Sequence, residues 1–297
     1  MSESAPSQAF HWLDRRLARR RFDRVAAGYS AADVLTAEIR VRLLERLDVI
    51  RLSPKRILDL GCGDGGATGD LSHRYSGGSV LMMDSSVPML RQRPSGRWRW
   101  RGPARMAGDA LAIPLRDATI DLVFCNLLLP WVDDPVRVFR EAWRVLRPGG
   151  LLLFSTLGPD SLIELRHAFS QVDRFEHVHP FIDMHHLGDA LVQAGFADPV
   201  MDMEIITLTY RSVDDLLSDL TGSGARNAHR GRTPHLTTPR QLRRMADEYE
   251  QFRQDEVLPA TFEVVYGHAW MPEQITARRR TAGDISFPIS RLRRSGG

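Results

Sequence analysis

Apolar residues recur at helical spacing from about Trp12 to Leu47, where Leu35, Ile39, Leu43 and Leu47 fall at every fourth position and share one face. Ser53-Pro54 closes that stretch. The period then changes. Short apolar runs at 56–60, 79–83, 120–125 and 151–156 alternate with helical stretches, and such runs predict strands buried on both faces. Between the last two, residues 134–146 predict a helix with Val136, Phe139, Trp143 and Leu146 as its apolar stripe, stopped by Pro148-Gly149-Gly150. Strands alternating with helices are the pattern of a parallel sheet covered on both sides.

The second half reads differently. Residues 184–194 predict a helix closed by Gly195, 200–210 a strand, 213–220 and 239–253 helices, and 261–270 a last strand. The organisation expected is a helical lid segment over 1–50, an α/β core over 51–210, and a helical insertion over 211–258 that caps the substrate. The last core strand follows at 259–270 and a flexible tail at 271–297. Residues 1–10 are polar and expected to fray.

Composition narrows the picture. Every apolar run is broken before the length of a membrane span, so no membrane association is expected. The start has no apolar core followed by a small-residue cleavage site, and the two cysteines, Cys62 and Cys125, have no metal-ligand spacing. Both point to a reducing, cytoplasmic compartment. A net charge of +3 is too small to argue for nucleic acid. Lys55 is the only lysine, and the arginines gather in Arg15–Arg24, in Arg226–Arg244 and in the helical series Arg137, Arg140, Arg144 and Arg147. Such clusters suit an acidic partner.

The strongest chemical signal is Asp59-Leu60-Gly61-Cys62-Gly63-Asp64-Gly65, directly after a strand-type run. Glycines there allow a tight strand-to-helix turn and let a ligand approach the backbone. Asp84 ends the next predicted strand, where a carboxylate accepts both hydroxyls of a ribose. Gly108-Asp109-Ala110 places a further carboxylate beside an adenine amino group. No lysine follows the glycines, which excludes a phosphate-binding P-loop. Asp59 and Asp64 would repel a pyrophosphate and suit a cation, which favours S-adenosylmethionine (SAM) over a nicotinamide dinucleotide.

With these elements in order, residues 56–157 resemble a class I SAM-dependent methyltransferase. That resemblance implies a Rossmann-like sheet of seven mostly parallel strands in the order 3-2-1-4-5-7-6, the last one antiparallel. It also implies that Asp59 and the backbone of Gly61, Cys62, Gly63 and Gly65 hold the methionine part of SAM. Asp84 would hold the ribose and Asp109 the adenine, with Met89 against the adenine face and Ser85 and Ala110 as further cofactor contacts. Asn126 opens the segment Asn126-Leu127-Leu128-Leu129-Pro130-Trp131, which in that family faces the transferred methyl. It lacks the signature of amine methylation on nucleic acid.

Three further stretches, 22–29, 155–165 and 220–227, are similar to the malonyl-acyl-carrier-protein O-methyltransferases of biotin synthesis. This resemblance implies methylation of the free carboxylate of a malonyl thioester, carried on acyl carrier protein or coenzyme A, by a monomeric enzyme. Tyr29 is then the candidate lid residue and Trp131 a wall of the pocket, both near the reacting atoms together with Asn126. Arg226 and Arg232 are the candidates to grip the acyl carboxylate or the phosphopantetheine phosphate, since a guanidinium forks onto either. A competing likeness lies in 179–196 and 258–262, which resemble complex I assembly factors that hydroxylate a protein arginine. Four histidines (His177, His179, His185 and His186) with Asp183 raise the question of a metal there, although a loop and helix start explain them as well, and no metal is expected.

Overall fold

A computed structural model describes residues 12–93 and 103–273. Seven strands form one sheet: β1 (Arg56–Leu60), β2 (Ser79–Asp84), β3 (Ala104–Ala107), β4 (Ile120–Asn126), β5 (Leu146–Leu157), β6 (Ala197–Tyr210) and β7 (Leu258–Trp270). Their order is β3-β2-β1-β4-β5-β7-β6, with β1 to β5 parallel and β7 antiparallel to both its neighbours. The helices are α1 (Arg15–Val25), α2 (Tyr29–Ala32), α3 (Val34–Glu45), α4 (Gly66–Arg74), α5 (Val87–Gln92), α6 (Pro135–Val145), α7 (Ile163–Ser170), α8 (Met184–Ala194), α9 (Val213–Gly222) and α10 (Pro239–Tyr249). Two of these, α9 and α10, lie between β6 and β7 in the chain, over the segment read as an insertion.

Each face of the sheet carries its own core. Ile39, Leu43 and Leu47 of the N-terminal stripe pack with Leu71, Leu165, Met245 and Tyr249 over one face. Phe139, Ala142, Leu187 and Leu191, from α6 and α8, cover the other. The α6 stripe is rotated from the one expected: Val138, Phe139, Ala142 and Val145 are buried, while Val136 and Trp143 sit at the edge. The helix ends at Val145, because Leu146 already has strand geometry, and β5 runs on through Pro148-Gly149-Gly150, where Gly149 takes φ +76°. The Arg137–Arg147 series therefore does not form one helical face. Arg147 belongs to a strand and pairs with Asp121, and Arg144 is held by Glu141 and Asp117. Strand β3 was not legible as an apolar run, since Arg105 and two exposed alanines make up three of its four residues. The tail does not loosen at Met271, which is buried and exchanges backbone hydrogen bonds with Gly149 and Gly150. Beyond 273, like residues 1–11, it lies outside the described residues. Among the described residues no helix is long and apolar enough to cross a membrane.

Strand order reverses between β1 and β4. Open α/β sheets bind ligands at the carboxyl ends of strands beside such a switch point. The cavity lies there.

Candidate active site

At the end of β1 the chain turns through three glycines in the left-handed region, Gly61 (φ +71°), Gly63 (φ +55°) and Gly65 (φ +86°). The amides of Gly61 and Cys62 donate to the Met83 carbonyl at 2.8 and 3.1 Å, which ties the loop to the end of β2. A Cβ on Gly61 would lie 2.9 Å from that of Leu128. Asp84 is fixed from both sides, with Gly63 N donating to Oδ2 at 3.0 Å and Ser86 N to Oδ1 at 2.7 Å. Each carboxylate oxygen keeps a second lone pair for a ligand hydroxyl.

Asp59 is 1% exposed, and Oδ2 accepts from the Thr68 hydroxyl at 2.6 Å. Burial pushes its carboxyl up to about 7, against the Thr68 bond and with a further upward push from the Asp84 charge. Burial also raises Asp84. Two such carboxyls cost stability while the site holds no cation.

The N-terminal helices form the opposite wall. Arg15 of α1 reaches Asp109 at 2.5 Å, and Leu111 N donates to the same oxygen. Burial alone would raise Asp109; the Arg15 guanidinium holds it below the usual carboxylate range instead. Tyr29 is buried between Ala26 and Met89. Burial and the nearby Asp33 carboxylate push its hydroxyl far up. Asp33 pairs with Arg40 through Oδ2 at 3.3 Å, and its other oxygen is buried without a partner among the described residues. The Asn126 amide is engaged at both ends, donating to Thr36 O at 3.1 Å and accepting from Ser155 Oγ at 2.7 Å. It fixes the end of β4 against α3.

These groups surround one cavity of about 680 Å³, within the range of small-molecule sites. Tyr29, Asp59, Gly61, Cys62, Gly63, Asp84, Ser85, Met89, Asp109, Ala110, Asn126 and Trp131 all line it. Gly65 does not. It starts α4, and a Cβ there would run into the Met82 side chain at 2.5 Å, so its role is the turn. Arg226 and Arg232 are also absent from the wall. Arg226 is exposed, and Arg232 is bound to the His229 carbonyl at 2.9 Å and to Asp14 at 3.5 Å. The cations that do reach the cavity are Arg15, Arg16, Arg19 and Arg40, from helices whose sequence offered an arginine cluster and no spacing that singled these out. The four histidines disperse. His177 binds Asp173, His185 and His186 are exposed on α8, and Asp183 caps that helix; only His179 enters the cavity.

A family profile described as "Methyltransferase domain" matches residues 58–154, from β1 to β5. Solved structures with this fold include a putative methyltransferase of Bacillus halodurans, 17% identical with a TM-score of 0.56 over 79% of this chain and 99% of that one. Sequence relatives go much further. A malonyl-[acyl-carrier protein] O-methyltransferase of Laribacter hongkongensis is 46% identical over 93% of this chain and 96% of its own length. One of Gallionella capsiferriformans is 45% identical over 88% and 92%. The chain belongs to the malonyl-[acyl-carrier protein] O-methyltransferase family. It is thus a SAM-dependent methyltransferase, and the likeness covers the N-terminal helices and the segment between β6 and β7 as well as the core. Membership of this family sets aside the arginine-hydroxylating likeness, which rested on two short stretches.

Proposed function

We propose that the protein transfers the methyl group of SAM to the free carboxylate of a malonyl thioester on acyl carrier protein, an early step of biotin synthesis. What carries the reading is identity above 40% across nearly the whole of both chains, substrate-facing segments included. The donor set fits SAM. Asp59 is buried and Asp84 half-buried, both facing the cavity, and Asp64 lies beside them, so the site favours a ligand with cationic centres.

SAM supplies a methyl group made electrophilic by its sulfonium. Asp59 and the Gly61–Gly63 backbone would hold the amino-acid end, Asp84 with Ser85 the ribose, and Asp109 with Ala110 the adenine, with Met89 beside it. A malonyl carboxylate is ionised at neutral pH, so no residue has to remove a proton. The chain's task is alignment and dryness. Tyr29 serves as the lid and Trp131 as the wall beside the reacting atoms. Arg16 and Arg19, at the rim, stand where an acidic carrier would approach. The two cysteines, both buried and unpaired, suit the cytoplasm.

The test is incubation with SAM and malonyl-carrier protein, read by intact mass. A gain of one methylene on the carrier, abolished when the malonyl carboxylate is absent, is expected. No gain with malonyl-carrier protein or malonyl-CoA would overturn the reading.

A further inference from the structure

His179 lies in the loop between α7 and α8, outside every motif that the sequence offered for cofactor binding. It is 3% exposed and lines the cavity, and neither ring nitrogen has a hydrogen-bond partner among the described residues. The Pro130 carbonyl is near enough to pull weakly on the ring but is not placed for a hydrogen bond. Aromatic rings close around it, with Trp131 at 5.1 Å, Phe181 at 4.9 Å and Trp12 at 5.7 Å between centroids. Phe22 stands edge-on to Trp131 at 5.1 Å and continues that wall along the cavity.

A buried polar group is normally satisfied, and an orphan one facing a cavity marks where a ligand atom belongs. The charge state defines that atom. Burial, then the nearby His229, Arg166 and Arg21, push the His179 ring down to about 4, so it is a neutral imidazole at physiological pH. Neutral imidazole offers one N–H donor and one acceptor. Its neighbours on the cavity wall, Trp131 and Phe181, are aromatic. A ligand suited to this corner is small, largely apolar, and brings an oxygen to accept one hydrogen bond. The carboxylates assigned to the cofactor lie on β1, β2 and the loop after β3, away from this corner, which leaves it for the acceptor.

We propose that His179 is the anchor of the acyl group: its ring N–H donates to an oxygen of the bound malonyl thioester, while Trp131 and Phe181 exclude water around it. This rests on the function proposed above. His179 is thus a positioning and binding residue. The acceptor carboxylate is already ionised, so no proton transfer through the ring is required.

The test compares His179→Phe, which keeps an aromatic ring and removes the donor, with His179→Gln, which keeps a donor. Calorimetry with S-adenosylhomocysteine reports whether each variant retains a folded cofactor site. The expected result is cofactor affinity within about twofold of the parent for both. His179→Phe should raise KM for malonyl-carrier protein about tenfold or more, the usual worth of a hydrogen bond to a charged or strongly polar oxygen, and His179→Gln should recover much of it. Inhibition by the methyl ester product identifies the oxygen. Equal weakening of product and substrate in His179→Phe assigns the thioester carbonyl, and weakening of substrate alone assigns the carboxylate. A parental KM in His179→Phe overturns the proposal and leaves the function intact. A parent protein inert on every malonyl thioester overturns the function reading, and this proposal with it.

Discussion

The cofactor site should bind SAM with a proton linkage that its buried aspartate imposes. Burial pushes the Asp59 carboxyl up to about 7, so near that pH about half of the cofactor-free molecules should carry it neutral. A cationic ligand requires the ionised form. The ionised fraction is about 9% at pH 6 and about 91% at pH 8, so SAM affinity should fall about fivefold from pH 7 to 6 and gain less than about twofold above it. Calorimetry at pH 7 in two buffers of different ionisation enthalpy should then show about half a proton released per SAM bound. Asp59→Asn should weaken SAM binding and remove most of this pH dependence, and any slope left belongs to Asp84 and Asp33, which burial also raises. The stability effect has the opposite sign. A carboxyl raised on folding stabilises the native state below its unfolded value and loses that contribution as pH rises to about 7. Above that pH, cofactor-free Asp59→Asn should be the more stable protein, by at most on the order of 4 kcal/mol. Flat SAM affinity between pH 5.5 and 7.5, or parental affinity in Asp59→Asn, would refute the reasoning.

Asp84→Ala removes a carboxylate that holds Gly63 and Ser86 and is assigned to the ribose. SAM affinity should drop by about 1.5–3 kcal/mol for each charged hydrogen bond lost, and unchanged calorimetry would disprove the ribose assignment. Arg16, Arg19, Arg20 and Arg24 form the exposed face of α1. Replacing all four with alanine should lower kcat/KM for malonyl-carrier protein at low salt and flatten its salt dependence, with a smaller effect on malonyl-CoA; equal effects on both would remove carrier docking from this face. Arg232→Ala should leave KM unchanged and lower Tm by about 2–4 °C, since its ion pair with Asp14 is half-exposed and worth about 1 kcal/mol. A raised KM for the acceptor with unchanged Tm would return Arg232 to the substrate site.

The core of this fold was legible because its strands are short and apolar and its cofactor loop is a local feature. Asp59, Gly61, Gly63 and Asp84 lie within one strand–helix–strand unit, where spacing along the chain becomes spacing in space. The acceptor side has no such unit. Its wall joins Phe22 of α1, Trp131 after β4 and His179 before α8, three residues that only the tertiary fold brings together. His179 carried a sequence signal, a group of histidines, but that signal pointed to nothing beyond a loop and helix start, and burial among aromatic rings gave the residue another setting. Arg226 and Arg232 failed to reach the cavity for a related reason. Charge density along a chain marks a surface, and says nothing of which guanidinium turns inward. Gly65 matched the motif and proved to serve the turn, because a glycine required for packing against Met82 looks the same in sequence as one required by a ligand.

Helix α1 touches both halves of the cavity. Arg15 is bonded to Asp109, the carboxylate assigned to the adenine, and seven residues on, Phe22 is packed against Trp131 in the corner proposed for the acceptor. Seven residues are two helical turns, so both contacts lie on one face of one rigid rod. Lifting that rod to free Asp109 also pulls Phe22 from the aromatic wall. On the proposed assignments, entry of the nucleoside and assembly of the acyl corner would be coupled through one helix. In steady-state terms, the two substrates should load in a compulsory order, with the cofactor first, and the spent cofactor should leave last.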